Sequence, residues 1–117
     1  LNYLKDRYTL HIITNGFEEV QYQKLENSNL IDYFEQIITS EQVGFKKPSE
    51  HIFKFSIEKV FAKPSDCLMI GDDLHADILG AKGIGMAQVF FNPLKLEHSN
   101  SEITYEISCL SELEEIL

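Results

Sequence analysis

Cys67-Leu68-Met69-Ile70-Gly71-Asp72-Asp73-Leu74-His75-Ala76-Asp77 opens as an apolar run, stops at a glycine and then sets three carboxylates between Gly71 and Asp77. Four consecutive apolar residues suit a strand buried on both faces better than one with a solvated side. The stretch that follows, over 74–82, carries Ala76, Gly80 and Ala81, small residues that let a helix approach a sheet closely. A buried strand entering a helix through an acidic turn is the repeating unit of a parallel α/β sheet.

The same unit recurs on both sides. Upstream, Thr9-Leu10-His11-Ile12-Ile13 is apolar and partly β-branched and stops at Thr14-Asn15-Gly16. Phe17, Val20, Lys24 with Leu25, and Ser28 then recur at helical spacing, with Asn29 as the stop. Gln36-Ile37-Ile38-Thr39 reads as the next strand, and the loop over 42–48 contains Gly44 and Pro48, which interrupt regular structure. A helix is expected over 49–61, with Ile52, Phe53, Ser56, Ile57, Val60 and Phe61 on one side. Downstream, Gly83 and Gly85 end the helix of the acidic unit, and Ala87-Gln88-Val89-Phe90-Phe91 is a strand closed by Asn92-Pro93. Tyr105-Glu106-Ile107 fits a short edge strand, and Ser111-Glu112-Leu113-Glu114 fits a capping box for a last helix. No repeat, linker or low-complexity segment breaks the pattern. The expectation is a single domain over 1–117, a doubly wound, Rossmann-like parallel sheet with helices on both faces and right-handed crossovers. Ligands of such sheets bind at the carboxyl ends of the strands, where the polar residues above lie.

Composition narrows the classes of function. Hydrophobic residues make up 44% and charged residues 25%, the balance of a globular protein. The net charge of −9 repels nucleic-acid backbones and anionic lipid, and no basic stripe interleaved with aromatics offsets it. No apolar run approaches the ~20 residues that span a bilayer, and no signal-peptide pattern opens the chain. Cys67 and Cys109 form no CxxC pair, which suits free thiols in a reducing cytoplasm. Leu1 stands first, and Asn2-Tyr3-Leu4-Lys5-Asp6-Arg7 reads as the end of a helix, so an upstream continuation is expected.

Three short elements carry chemistry. In Thr14-Asn15-Gly16, a hydroxyl, free N–H groups at a helix start and a glycine can together hold phosphate oxygens, although a plain N-cap and turn use the same residues. In Lys46-Lys47-Pro48, proline biases Lys47 away from α conformation and can aim its ammonium over the strand ends; a solvated loop lysine is the plainer alternative. Asp72, Asp73 and Asp77 are the strongest signal. Two carboxylates about 4 Å apart repel by roughly 4 kcal/mol at an effective dielectric near 20, and Mg²⁺, which takes one or two protein carboxylates, removes that penalty. The alternative is that Asp73 caps the helix while Asp72 and Asp77 face water. His75 falls in the first helical turn, and His11, His51 and His98 share no ligand spacing with it.

The order strand–TNG–helix, Lys-Pro–helix, strand–GDDxxxD–helix resembles the second, third and fourth motifs of the haloacid dehalogenase superfamily over almost the whole chain. Ile13-Thr14-Asn15-Gly16-Phe17, Ser40-Glu41-Gln42-Val43-Gly44 with Lys47-Pro48, and Asp77-Ile78-Leu79-Gly80-Ala81 look particularly like its pyrimidine 5′-nucleotidase branch. The resemblance implies a Mg²⁺-dependent phosphatase acting on a small phosphorylated metabolite, a nucleoside monophosphate in that branch. Thr14 and the backbone of Asn15 and Gly16 would bind the phosphoryl group, and Lys47 would neutralise charge at nucleophile and phosphate. Asp72 would bind the metal, Asp77 would orient Lys47 or the metal's water shell, and Asp73 is a further metal candidate.

The resemblance also implies an Asp-x-Asp pair on a first, central strand, whose leading Asp forms an aspartyl phosphate. The Asp residues here are Asp6, Asp32, Asp66, Asp72, Asp73 and Asp77, and no two stand at i, i+2. The expected reading is therefore the C-terminal part of a larger enzyme, lacking that strand and a cap and inactive alone. A phosphoglycolate-type phosphatase or a haloacid dehalogenase is the alternative within the superfamily. Outside it stands a non-catalytic phosphate- and Mg²⁺-binding module such as a receiver domain, whose acidic pair belongs at the first strand rather than the third.

Overall fold

The computed structural model describes residues 1–99 and 102–117. Its elements run α1 (Asn2–Lys5), β1 (His11–Thr14), α2 (Glu18–Asn27), β2 (Gln36–Thr39), α3 (Ser40–Val43) and α4 (Glu50–Lys59). Then come β3 (Leu68–Gly71), a π-helical segment (Leu74–Leu79) continuing into α5 (Gly80–Gly83), β4 (Ala87–Phe91), β5 (Tyr105–Ile107) and α6 (Leu113–Ile116). Strand and helix alternate along most of the chain, as the sequence pattern requires.

All strand pairs are parallel, but among the described residues they form two sheets. β1 pairs with β2, from His11 opposite Gln36 to Thr14 opposite Thr39. β3 pairs with β4 and β4 with β5, with Gly71 opposite Phe90 and Phe91 opposite Ile107. Between the facing edges of β1 and β3 runs an apolar cleft of about 960 Å³, lined by Leu10, Ile12, Ile13, Leu68, Met69 and Ile70 among others. Its effect on burial is direct. β2 and β4 are buried over most of their length, whereas β1 and β3, whose residues line the cleft, are half-buried throughout. The run beginning at Cys67 has the composition of a strand buried on both faces, and the cleft leaves that burial incomplete.

Both faces of β3 nevertheless meet apolar layers. Met69 packs with Ile38, Ile52, Phe53, Ile57, Ala81 and Met86, contributed by β2, α4 and α5 among others. Leu68 and Ile70 pack on the other side with Leu4, Val89, Ile107 and Leu113, which brings in α1 and α6. Alternate residues of one strand thus serve opposite layers, the period-2 rule of a sheet sandwiched by helices. α4 joins the two sheets: its Ile52 and Phe53 are fully buried beside Ile38 of β2 and Ala81 of α5. Burying each such side chain contributes about 1.5–3 kcal/mol. Ser49 caps α4 by accepting from the His51 N–H, Glu50 lies in its first turn and Lys59 in its last, all favourable to the helix dipole.

Local expectations change in three helices. The one expected over 49–61 ends at Lys59, and Phe61, expected on its apolar side, lies beyond it and is 97% exposed. The helix over 74–82 begins as a π turn: the Asp73 carbonyl accepts from both Asp77 N–H (2.9 Å) and Ile78 N–H (3.3 Å). The capping box at Ser111–Glu114 does not form. Ser111 lies in a 3-10 turn (Leu110–Glu112), and the Glu112 carboxylate instead accepts from the Ser108 N–H at 3.0 Å. The last helix starts at Leu113, which is buried with Leu4, Val89 and Ile107, one residue later than the local signal suggests.

Candidate functional site

The carboxyl ends of β1 and β3 and the loop before α4 come together around Lys47. β1 ends at Thr14, whose half-buried hydroxyl accepts a bond from the Gly16 N–H at 3.3 Å, holding the turn into α2. Asn15 directs its side chain to the loop before α4. Its Oδ1 accepts from the Lys47 N–H at 2.7 Å and its Nδ2 donates to the Lys47 carbonyl at 3.2 Å, across 32 positions of sequence. The Lys47–Pro48 peptide is cis. Pro48 lies against Gly80, where an added methyl would also strike the ring of Phe53.

The Lys47 ammonium then points at Asp77. Nζ lies 2.5 Å from Oδ1, with the two side chains only 12% and 6% exposed. The second oxygen, Oδ2, accepts from the Asp73 N–H at 3.2 Å. Gly71 makes this possible, since a Cβ there would overlap the Asp77 side chain. Asp73 caps the π segment, its Oδ1 accepting from the Ala76 N–H at 2.8 Å. Asp72 is exposed, and its carboxylate engages no described residue. His75 is exposed in the first helical turn.

The three acidic residues therefore stand in different states. Asp77 has both oxygens engaged by Lys47 and by the Asp73 backbone. Asp73 has one oxygen committed to the cap. Asp72 is open to solvent. Among the described residues no group of three His, Cys, Asp or Glu side chains converges on one point. This arrangement suits a hard cation that takes one or two carboxylates and completes its shell with water and phosphate oxygens, with Asp72 as the protein ligand. It does not suit a cage made wholly of these side chains. The paired ammonium of Lys47, the Thr14 hydroxyl and the N–H groups leading into α2 supply what an anion needs. The arrangement can offset charge on a bound anion; among the described residues no Asp-x-Asp pair stands beside it.

Outside this cluster, burial pushes the His11 imidazole below its ordinary value against the raising effect of Glu35, and His11 Nδ1 is buried at the cleft with no hydrogen-bond partner among the described residues. Cys67 and Cys109 are free thiols; burial pushes Cys67 up, and the Ser111 hydroxyl pulls Cys109 down. No described helix is long and apolar enough to cross a membrane.

Residues 1–91 match the family of haloacid dehalogenase-like hydrolases, and the chain belongs to that family. It is 38% identical to the pyrimidine 5′-nucleotidase YjjG of Escherichia coli, over 100% of this chain and 53% of that protein. It is 37% identical to the glyceraldehyde 3-phosphate phosphatase of Pyrococcus furiosus, over 97% of this chain and 49% of that protein. The chain thus spans about half the length of the curated relatives it matches. Among solved structures, the putative hydrolase YfnB of Bacillus subtilis, described as bound to magnesium, superposes with a TM-score of 0.91 at 36% identity. That alignment covers 98% of this chain and 51% of YfnB. Two features of the site lay beyond the sequence patterns: the use of the Asn15 side chain and the role of Gly71. Gly71 had a local signal, a glycine directly before a carboxylate turn.

Proposed function

We propose that this chain is the phosphate-handling part of a Mg²⁺-dependent phosphomonoester hydrolase acting on a nucleoside 5′-monophosphate. The observation that carries the reading is the Lys47–Asp77 pair, tied through Asn15 to the end of β1 and packed on Gly71 at the end of β3, next in sequence to Thr14 and the exposed Asp72. A fixed ammonium, a hydroxyl and a free carboxylate at strand ends are the parts that phosphoryl transfer uses, because that reaction depends chiefly on positioning and charge neutralisation. When bound, the metal would offset phosphate charge beside Asp72. Thr14 and the amides after it would hold phosphoryl oxygens, and Lys47 would lower the repulsion between the phosphate and an incoming carboxylate. The nucleotidase and phosphatase names of relatives at 37–38% identity agree with this chemistry.

The nucleophile in this reading is an Asp on a strand seated between β1 and β3. The cleft supports it, since both of its walls are strand edges without partners and both are apolar. The Asp would attack phosphorus, form an aspartyl phosphate and release the alcohol; water would then release inorganic phosphate. The residues 1–117 alone do not turn over in this account, and the enzyme works in the cytoplasm, where Cys67 and Cys109 stay reduced.

The test is phosphate release from nucleoside monophosphates, glyceraldehyde 3-phosphate and phosphoglycolate, with Mg²⁺ or EDTA, for this chain and for an upstream-extended chain carrying an Asp-x-Asp strand. Activity in the extended chain alone, greatest on a nucleoside monophosphate and lost with EDTA, is expected. A preference for glyceraldehyde 3-phosphate would replace the substrate assignment, and inactivity of both chains would favour a binding module.

A further inference from the structure

We propose that Asn15 is a positioning residue, whose carboxamide grips both backbone polar groups of Lys47 and so sets where the Lys47 ammonium stands over the strand ends. The inference rests on the hydrolase reading above. It deepens that reading by giving Asn15 a task other than binding phosphate.

The geometry is specific. A primary amide has an acceptor and a donor fixed in one plane, and here each meets the matching group of a single residue: Lys47 N–H to Oδ1 at 2.7 Å, and Nδ2–H to the Lys47 carbonyl at 3.2 Å. Oδ1 and Nδ2 thus act as a peptide group in a ladder would. Ser or Thr could satisfy one of these groups, and Asp could accept but not donate. The clamp also lies on a continuous line. It starts at the end of β1, passes through the backbone of Lys47 to its ammonium, reaches Asp77, and ends at the Asp73 N–H beside β3. β1 and β3 belong to sheets that share no ladder hydrogen bonds among the described residues, so their relative placement gains from any bond that crosses between them. Asn15 is exposed, so its two bonds do little to build the core; their consequence is where the Lys47 loop sits. Small displacements of a charged group from its reactive geometry can cost about 10²-fold in rate.

The experiment uses the full protein that carries this chain, measuring kcat and KM for its best phosphate ester, melting temperature, and hydrogen exchange at the Lys47 amide. Asn15→Ala should lower kcat by roughly 10–100-fold with KM within about 3-fold, speed exchange at Lys47 and leave melting nearly unchanged. Asn15→Asp, which keeps the acceptor for the Lys47 N–H, should fall between the two. In a Lys47→Met background, whose residual activity is the baseline, Asn15→Ala should cost nothing further, because the effect passes through Lys47. An Asn15→Ala enzyme with normal kcat, or losses that multiply in the double variant, would overturn the proposal. If the unsubstituted protein releases no phosphate, the hydrolase reading fails first and takes the positioning role with it; a normal kcat for Asn15→Ala beside an active parent removes the positioning role alone.

Discussion

The β3–β4–β5 sheet and the β1–β2 sheet both rest on apolar strands, yet they are finished to different degrees. In the first, Val89 is fully buried, helices cover both faces, and β4 has a strand on each side. In the second, α2 buries no residue, and Phe17, Val20 and Tyr22 beside or within it are 70%, 44% and 37% exposed. Ile12 and Ile13 match Leu68 and Ile70 in character, but all four line the same cleft and are half-buried. The contrast shows that the strands bordering the cleft keep part of their apolar surface exposed although helices face them, whereas β2 and β4 are largely buried. The polar site lies where the cleft ends, since Thr14 and Gly71 are the last residues of the two strands flanking it.

Several measurements would break or sharpen this comparison, and the largest effects belong to the residues joining the two sheets. In the complete protein, Asp72→Ala should lower kcat by about 10²–10³-fold with the melting temperature preserved, because that carboxylate supports no described contact. A kcat within a few-fold of the parent would remove Asp72 from the site. Lys47→Ala should lose at least as much activity, and also destabilise. It leaves the Asp77 carboxylate buried without its cation, a change worth about 3–5 kcal/mol where a pair is fully buried and less where water reaches it. Urea midpoints of the two variants distinguish these outcomes.

Gly71→Ala comes next. Its methyl overlaps Asp77 and should cost about 1–3 kcal/mol while displacing Lys47, so activity and stability fall together. A variant as stable as the parent would show that the close approach is not required.

Acid should act on the cleft side. Burial lowers the pKa of His11, so the unfolded chain binds its proton more readily than the folded one. The His11 contribution is fully present above the ordinary value of 6.5 and is lost as pH falls through it, levelling below the folded-state pKa. Melting temperatures between pH 5 and pH 8 should therefore decline toward acid less steeply in His11→Gln than in the parent; equal slopes would exclude His11 as the source. The smallest effect is expected at Glu50→Ala, which removes an exposed helical pair with Lys54 at 3.5 Å and should change stability by under ~0.5 kcal/mol.

Much of the architecture was legible in local chemistry. β2, β4 and β5 have the bounds their apolar runs suggest, and Ser49 caps α4, which runs from Glu50 to Lys59 rather than on to Phe61. β1 starts two residues later than its apolar run, with its pairing to β2 opening at His11 opposite Gln36. The reading faltered where a local signal competed with packing, as at Ser111, or where one backbone carbonyl could serve two N–H groups, as at Asp73.

By itself, then, the sequence determined the order of strands and helices and the placing of Thr14, Lys47 and the aspartates at strand ends. Hydrophobic period and turn chemistry are properties of neighbouring residues, and they need no knowledge of the rest of the chain. The tertiary structure alone decided that Asn15 holds Lys47 and that two sheets face each other across a cleft, and it chose the Lys47 ammonium from the two partners expected for Asp77. Each of these depends on how loops 30 or so positions apart are brought together. That is set by α4 packing Phe53 against Gly80 and Ile38, a long-range contact no local pattern encodes.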